Sequence, residues 1–180
     1  MRRVVKAVIP TTLILLLTLT TKAQDTPKAE LFGGYSYAGG SFHGWNGSIT
    51  GNVNKWFGVT ADFSGHYGGS IDEDGFDEKQ RVHSYLFGPR VAARKKRVMP
   101  FAHALFGVST LRTELTGFGQ RFIFSDIGFG LVLGGGLDIK VNDRIAVRAF
   151  QIDYLRARFF GETENRGRLA LGIVLRFGKK

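Results

Sequence analysis

Four histidines are the residues in this chain best suited to metal binding or general base catalysis, namely His43, His66, His83 and His103. None has a second ligand at the spacing of a zinc site, and the chain contains no cysteine. His83 is followed directly by Ser84, but neighbouring residues on a strand point to opposite faces and cannot act as a nucleophile and its base. The sequence therefore predicts no metal, no cofactor and no enzyme activity.

An acidic stretch between Ile71 and Lys79 is a second candidate for cation binding. Its carboxylates are Asp72, Glu73, Asp74, Asp77 and Glu78. Closely spaced carboxylates with a glycine can bind Ca²⁺, but this spacing does not match a complete EF-hand loop. We interpret the stretch as a solvated surface loop.

Charged residues of both signs also occur singly, on the small-residue face of alternating segments. They are Glu30, Asp62, Arg90, Asp138, Asp153, Arg168 and Arg176. If that face is the interior of a narrow barrel, these groups must satisfy one another, because an unpaired buried charge is costly. We expect a buried charge network with a structural role. The alternative is a gate for slow ion passage.

The segment that best shows how such residues are positioned is Arg168 to Phe177, RLALGIVLRF. Large aliphatic residues alternate with small or cationic ones over ten residues, about the length of a tilted strand that crosses a membrane. An apolar face opposite a narrow polar one fits a closed barrel with lipid outside.

The same alternation predicts seven further strands. The eight are expected within residues 28–37, 45–53, 57–67, 81–91, 100–111, 123–139, 145–156 and 168–177. Short turns follow strands two, four and six, and longer loops are expected at 68–79, 112–121 and 158–165. The phase of the fifth strand stays open, and in the seventh Arg148 falls on the lipid side unless a bulge shifts the phase.

The N-terminal residues 1–23 have the features of an export signal. A basic start at Arg2, Arg3 and Lys6 precedes a short apolar core at Leu13 to Leu17, and small residues at Thr21 and Ala23 suit a signal peptidase. Cleavage after Ala23 would leave residues 24–180 as one domain with a net charge of +6. No stretch of about 18 apolar residues follows, which argues against a helical membrane protein.

Alternation alone does not say which face is outside, and a secreted lipocalin-type barrel places its apolar residues inward around a ligand. Aromatic residues at the strand ends favour a lipid-facing exterior with interfacial girdles. The polar faces also carry fewer long charged side chains than a soluble surface would.

The ending ALGIVLRF, residues 170–177, resembles the C-terminal assembly signal of outer-membrane barrels, with Gly172, Leu175 and Phe177 at its defining positions. With the LFGGYSY opening, residues 28–177 resemble the eight-stranded barrel domain of OmpA/OmpX-type proteins. Ala170 stands where a polar residue is usual, and three residues follow the aromatic. The resemblance implies insertion by the barrel-assembly machinery and contact with lipopolysaccharide.

These observations predict an all-β fold, an eight-stranded antiparallel up-and-down transmembrane β-barrel in the outer membrane. The function predicted is structural or surface interaction, through short periplasmic turns and longer extracellular loops. The alternatives are a narrow ion-conducting pore and a secreted lipocalin-like carrier. No motif accompanies the basic charge that would indicate nucleic-acid binding, and the oligomeric state stays open.

Overall fold

Eight antiparallel strands form one closed barrel in the computed structural model, which describes residues 26–71, 77–117 and 120–178. Each strand pairs with its neighbours in sequence, and none of the described residues forms a helix long and apolar enough to cross a membrane. The strands are β1 (Ala29–Ala38), β2 (Phe42–Asn52), β3 (Phe57–Ile71), β4 (Asp77–Ala92), β5 (Val98–Gly117), β6 (Gln120–Lys140), β7 (Ile145–Phe159) and β8 (Glu162–Phe177).

The barrel closes between β1 and β8. Their register runs from Ala29 opposite Phe177 to Ala38 opposite Arg168, so ten consecutive residues of each strand form the seam. Closure leaves no unpaired sheet edge within this part of the barrel, which is the condition for a β-structure to lie in lipid.

The two faces of β8 show which side of the barrel is apolar. Leu169, Leu171, Ile173, Leu175 and Phe177 are exposed on the outside of the barrel, between 39% and 55% of their surface. Arg168, Ala170 and Val174 point inward and are at most 1% exposed. The lipocalin-like alternative is therefore wrong for this chain, because its apolar face is the exterior of the barrel.

The connections divide the barrel into two different ends. The terminal end carries the chain ends at β1 and β8 and the turns at 53–56, 93–97 and 141–144. The hairpin end carries the turns at 39–41 and 160–161, and residues 72–76 and 118–119 lie outside the described residues.

All three predicted long loops are wrong in extent. Of the predicted loop 68–79, residues 68–71 belong to β3 and pair with residues 77–80 of β4. Residues 112–117 of β5 pair with residues 120–125 of β6, so the predicted loop 112–121 is a continuing hairpin. The predicted loop 158–165 is strand except for a two-residue turn, where Phe160 and Gly161 both have positive φ, 51° and 86°. Two positive φ values characterise the tight hairpin turns that match strand twist.

A bulge in β7 resolves the predicted conflict at Arg148. The pairing with β6 moves from Phe150 opposite Leu137 to Arg148 opposite Asp138, so one extra residue, Ala149, stands on β7. Ala149 and Phe150 both face outward as a result, and Arg148 turns into the barrel, where it is 3% exposed.

The phase of β5, which the sequence left open, follows from its pairing. Met99, Phe101, His103 and Leu105 are buried in the barrel, whereas Phe106 and Val108 lie on the exterior. Both faces of this strand are apolar, so only the position of its neighbours distinguishes inside from outside.

Candidate functional site

The middle of the barrel interior is organised around Arg168, which is 1% exposed. Its Nη1 donates to Asp62 Oδ1 at 2.9 Å, and its Nε donates to Asp153 Oδ2 at 2.8 Å. Asp153 Oδ1 also lies 2.8 Å from His103 Nε2. One guanidinium thus bridges two carboxylates from distant strands, β3 and β7, and holds them across the interior.

A second group of charges lies toward the terminal end. Arg90 donates to Glu30 Oε2 at 2.7 Å and to Asp138 Oδ2 at 2.9 Å. Arg94 donates to Glu30 Oε1 at 3.0 Å, and Arg148 Nε donates to Asp138 Oδ1 at 2.8 Å. Both carboxylates are therefore shared between two arginines each.

Gln151 connects the two groups. Its side-chain carbonyl accepts a hydrogen bond from Arg148, and its amide donates to Asp153 Oδ2 at 2.7 Å and to Asn46 Oδ1 at 3.4 Å. Asn46 in turn donates to Asp62 Oδ2 at 2.9 Å. The polar contacts therefore form one continuous network along the interior.

Aromatic rings pack on the arginines of the terminal half. The Arg148 guanidinium lies 4.0 Å from the ring centre of Phe32 and 4.4 Å from that of Phe101. Arg90 lies 4.2 Å from the Phe101 ring. Cation–π contacts of this kind stabilise desolvated guanidiniums and fill the space between them.

An apolar layer lies beyond the network toward the hairpin end. Leu86, Leu105 and Val132 are buried together, and Leu155 packs against them. The cavity beside this layer has a volume of about 30 Å³, the space of roughly one water molecule. Side chains thus fill the cross-section of the barrel, as expected for eight strands.

All seven charged residues named by the sequence pattern lie in this interior, and six of them take part in the network. These six are Glu30, Asp62, Arg90, Asp138, Asp153 and Arg168. Arg176 is buried at the terminal end, but its side chain makes no hydrogen bond or ion pair with any described residue.

Three members of the network escaped sequence reasoning. Arg94 lies after the fourth predicted strand, in one of the short turns, Arg148 fell on the lipid side, and His103 stood in a strand of open phase. The inward position of Arg148 could have been predicted from its charge. An arginine is unfavourable on the lipid-facing side of a strand, so its presence there indicates that the strand changes phase.

The remaining chemical candidates are separated by the strands. His66 is buried in the barrel, where its Nε2 lies 2.9 Å from Ser36 Oγ, whereas His83 faces outward beside Tyr67. Ser84 points inward, away from His83, to Ser109 Oγ at 2.9 Å.

Among the described residues no cluster of three metal-ligating side chains occurs. The acidic residues Asp72, Glu73 and Asp74 lie outside the described residues, as do the side chain of Asp77 and the predicted signal at 1–23.

At the hairpin end, β3 to β6 extend past their neighbours. β5 and β6 are 20 and 21 residues long, about twice the length needed to cross a membrane. On the outward face of this extension the exposed residues Arg81 and Arg112 lie directly opposite each other, and Arg121 pairs with Glu114 at 2.7 Å.

A closed eight-stranded barrel with an apolar exterior and a charged interior can be compared with known families. The family model for the outer membrane protein beta-barrel domain matches residues 10–177. The chain belongs to this family of outer-membrane β-barrel proteins. No curated protein matches the chain.

Solved structures show the same fold. Ail, the attachment invasion locus protein of Yersinia pestis, is 19% identical with a TM-score of 0.64, over 84% of this chain and 99% of Ail. Ail in complex with the heparin analogue sucrose octasulfate is 18% identical with a TM-score of 0.60, over 86% and 100%. The N-terminal β-barrel domain of Pseudomonas aeruginosa OprF is 10% identical with a TM-score of 0.50, over 86% and 100%. At these identities the likeness is one of fold.

Proposed function

We propose that this outer-membrane barrel is a sealed scaffold with a structural or surface-interaction role, which presents its hairpin end outside the cell. We further propose that it neither conducts ions nor catalyses a reaction. The observation that carries the proposal is the continuous polar network from Arg94 to Arg168 together with the apolar layer at Leu105.

The network argues against a pore on energetic grounds. An ion that passed would have to separate buried pairs such as Arg90–Glu30 and Arg168–Asp62, and each separation leaves buried charges without a partner. It would then have to pass the buried apolar side chains Leu86, Leu105 and Val132 on one side of the interior. Conduction through the closed interior is therefore unfavourable.

The test is to refold residues 24–180 into detergent micelles, to compare unheated and heated samples by gel electrophoresis, and to record single channels in planar bilayers. We expect a heat-modifiable band, strong β-sheet circular dichroism and no conductance above background. Reproducible unitary currents would overturn the sealed scaffold in favour of the narrow pore. A chain that folds in buffer without detergent would overturn the membrane barrel.

Export and insertion complete the proposal. Residues 1–23 would direct export and be removed, and Gly172, Leu175 and Phe177 would be read by the barrel-assembly machinery. In support, Leu175 and Phe177 are exposed on the exterior of β8, where an insertion factor can contact them. Replacing Phe177 by serine should reduce the amount of folded barrel in cells, while refolding in detergent remains intact.

Contact with lipopolysaccharide is proposed for the outward face of the hairpin end. Arg81 and Arg112 are exposed and directly opposite each other, and like charges in that arrangement repel. Glu114 attracts Arg81 from the same face but already forms an ion pair with Arg121, so one carboxylate serves several cations there. A phosphate group of lipopolysaccharide would relieve the repulsion through charge-assisted hydrogen bonds. The binding of sucrose octasulfate by the Ail barrel is compatible with this proposal.

The test compares two double variants in micelles that contain lipopolysaccharide. Arg81→Gln with Arg112→Gln should lose most of the rise in thermal stability that lipopolysaccharide gives the parent protein. Lys95→Gln with Arg97→Gln removes the same charge at the terminal end and should keep that rise. If lipopolysaccharide raised the thermal stability of all three proteins equally, the proposed contact would be rejected.

A further inference from the structure

Buried cations outnumber buried anions at the terminal end of the barrel. Four guanidiniums face two carboxylates there, and each of the six side chains is less than 10% exposed. The residues are Arg90, Arg94, Arg148 and Arg176 with Glu30 and Asp138. A buried charge without compensation is costly, so this imbalance needs an explanation.

Arg176 is the one of these four arginines that forms no ion pair within the described part of the chain. Glu30 is already shared by Arg90 and Arg94, and Asp138 by Arg90 and Arg148. The Arg176 side chain is 6% exposed, makes no ion pair with a described residue, and has a buried Nε without a hydrogen-bond acceptor. The carboxylates of Glu30, Asp143 and Asp138 attract it and Arg94 repels it, but none of these carboxylates forms an ion pair with it.

The surroundings of Arg176 are open and partly apolar. A cleft of about 660 Å³ borders it at the ends of β7 and β8, lined by Asp143, Arg144, Ile145, Leu175, Arg176, Phe177 and Gly178. Leu175 and Phe177 belong to the lipid-facing exterior, and Arg144 is exposed beside them. The backbone N–H of Arg176 donates to the Arg144 carbonyl at 2.8 Å, which places the backbones of the two residues side by side at this end of the barrel.

We propose that Arg176 and Arg144 bind the phosphate group of an anionic phospholipid at the terminal end of the barrel. Guanidinium donors match phosphate oxygens in bidentate, charge-assisted hydrogen bonds. The phosphate would accept hydrogen bonds from the inward-facing Arg176 at the rim of the barrel, and the acyl chains would pass over the rim to the outward-facing Leu175 and Phe177. This site is independent of the proposed surface role of the hairpin end.

The experiment uses the folded chain in dodecyl maltoside micelles without phosphate buffer. Inorganic phosphate and short-chain phosphatidylglycerol are titrated separately while thermal unfolding and the Nε–Hε NMR signal of Arg176 are followed. A ligand at 100 times its dissociation constant should lower the unfolding equilibrium constant about 100-fold. We expect a saturable effect of phosphatidylglycerol, and of inorganic phosphate at higher concentration if the phosphate group alone is recognised.

Variants separate binding from general stability. Arg176→Gln should abolish the ligand effect and leave the unliganded barrel about as stable as the parent, because it removes a desolvated cation whose buried Nε has no hydrogen-bond acceptor. Arg97→Gln takes one charge from an exposed position at the same end and should keep the full effect. Arg176→Lys retains the charge and should bind with weaker affinity, which keeps the test informative if Arg176→Gln does not fold.

Three results would overturn the proposal. The first is an equal ligand effect in the parent protein and in Arg176→Gln. The second is the absence of saturation with both ligands. The third is stabilisation by inorganic phosphate alone, which would reject the lipid and leave a site for a free oxyanion.

Discussion

The charged residues of the interior stabilise the barrel only as pairs. In a low-dielectric interior the attraction within an ion pair offsets the cost of desolvating its charges only when the geometry is good. Arg168 contacts Asp62 and Asp153, each at 2.9 Å or less, and none of the three is more than 2% exposed. Removing the guanidinium would leave two buried carboxylates without their shared cation. The stability of the barrel therefore depends on the contact between Arg168 and the two carboxylates rather than on the charge of any one of them.

Replacing Arg168 by alanine should lower the free energy of unfolding by about 3–5 kcal/mol, the cost of breaking a buried ion pair. Urea unfolding of the refolded barrel in detergent measures the difference. As a control, Arg97→Ala removes an exposed arginine and should change the free energy of unfolding by less than about 0.5 kcal/mol. A loss below about 1 kcal/mol for Arg168→Ala would show that water reaches the pair.

Among the elements, the seam between β1 and β8 depends on glycine. A Cβ atom added to Gly172 would overlap the carbonyl oxygen of Gly33 and come within 2.5 Å of the Gly34 Cα atom. Both contacts are to backbone atoms, which cannot rotate away as a side chain would. The close approach of the two strands at this point therefore requires the absence of a side chain.

Gly172→Ala should therefore destabilise the barrel by about 1–3 kcal/mol, the usual cost of overpacking. Gly167→Ala is the matched control, because it lies on the same strand and its added Cβ would meet nothing within 4 Å. The measurement is the temperature at which the folded band disappears from unheated gels. Equal temperatures for the two variants would contradict a close seam.

The bulge in β7 is the second element whose geometry decides the interior. Deleting Ala149 removes the extra residue, and strict alternation back from Gln151 through Phe150 then leaves Arg148 inside the barrel, opposite Asp138. We therefore expect the deletion variant to form heat-resistant barrel in refolding assays, as the parent protein does.

Ala149→Ser keeps the residue count at the bulge and should refold like the parent protein. Loss of heat-resistant barrel in the deletion variant but not in Ala149→Ser would contradict this prediction and show that the bulge itself is required.

At the scale of the whole molecule, the two ends differ in length and define an orientation. The terminal end has short turns, whereas β3 to β6 continue past their neighbours at the hairpin end. Bacterial outer-membrane barrels place short turns in the periplasm and longer extensions outside. We therefore expect the hairpin end at the cell surface.

The chain contains no cysteine, so single cysteines can report this orientation. Gln120→Cys at the hairpin end should react with a membrane-impermeant maleimide on intact cells. Arg97→Cys, at an exposed position of the terminal end, should react only after the outer membrane is permeabilised. The reverse pattern would place the barrel upside down and assign the extended strands to the periplasm.

Much of the architecture could be predicted from the sequence because lipid and a narrow interior impose opposite demands on alternate residues. That contrast identified eight strands, the apolar exterior and inward positions such as Asp62 and Arg168. Prediction from alternation failed where the two faces of a strand no longer differ in burial. Residues 112–117 and 120–125 lie in the hairpin extension, where the burial difference between the two faces is weak, so their pairing left no clear alternating pattern.

Tertiary structure alone decided which charges meet and where the phase of a strand changes. Arg148 becomes an interior residue only through the bulge at Ala149, which is specified by the register of β6 and β8. Arg168 and Asp62 are 106 positions apart in the chain, and only closure of the barrel brings them into contact. Period two determines the face of each residue locally, whereas the partner across the interior depends on the register of all eight strands.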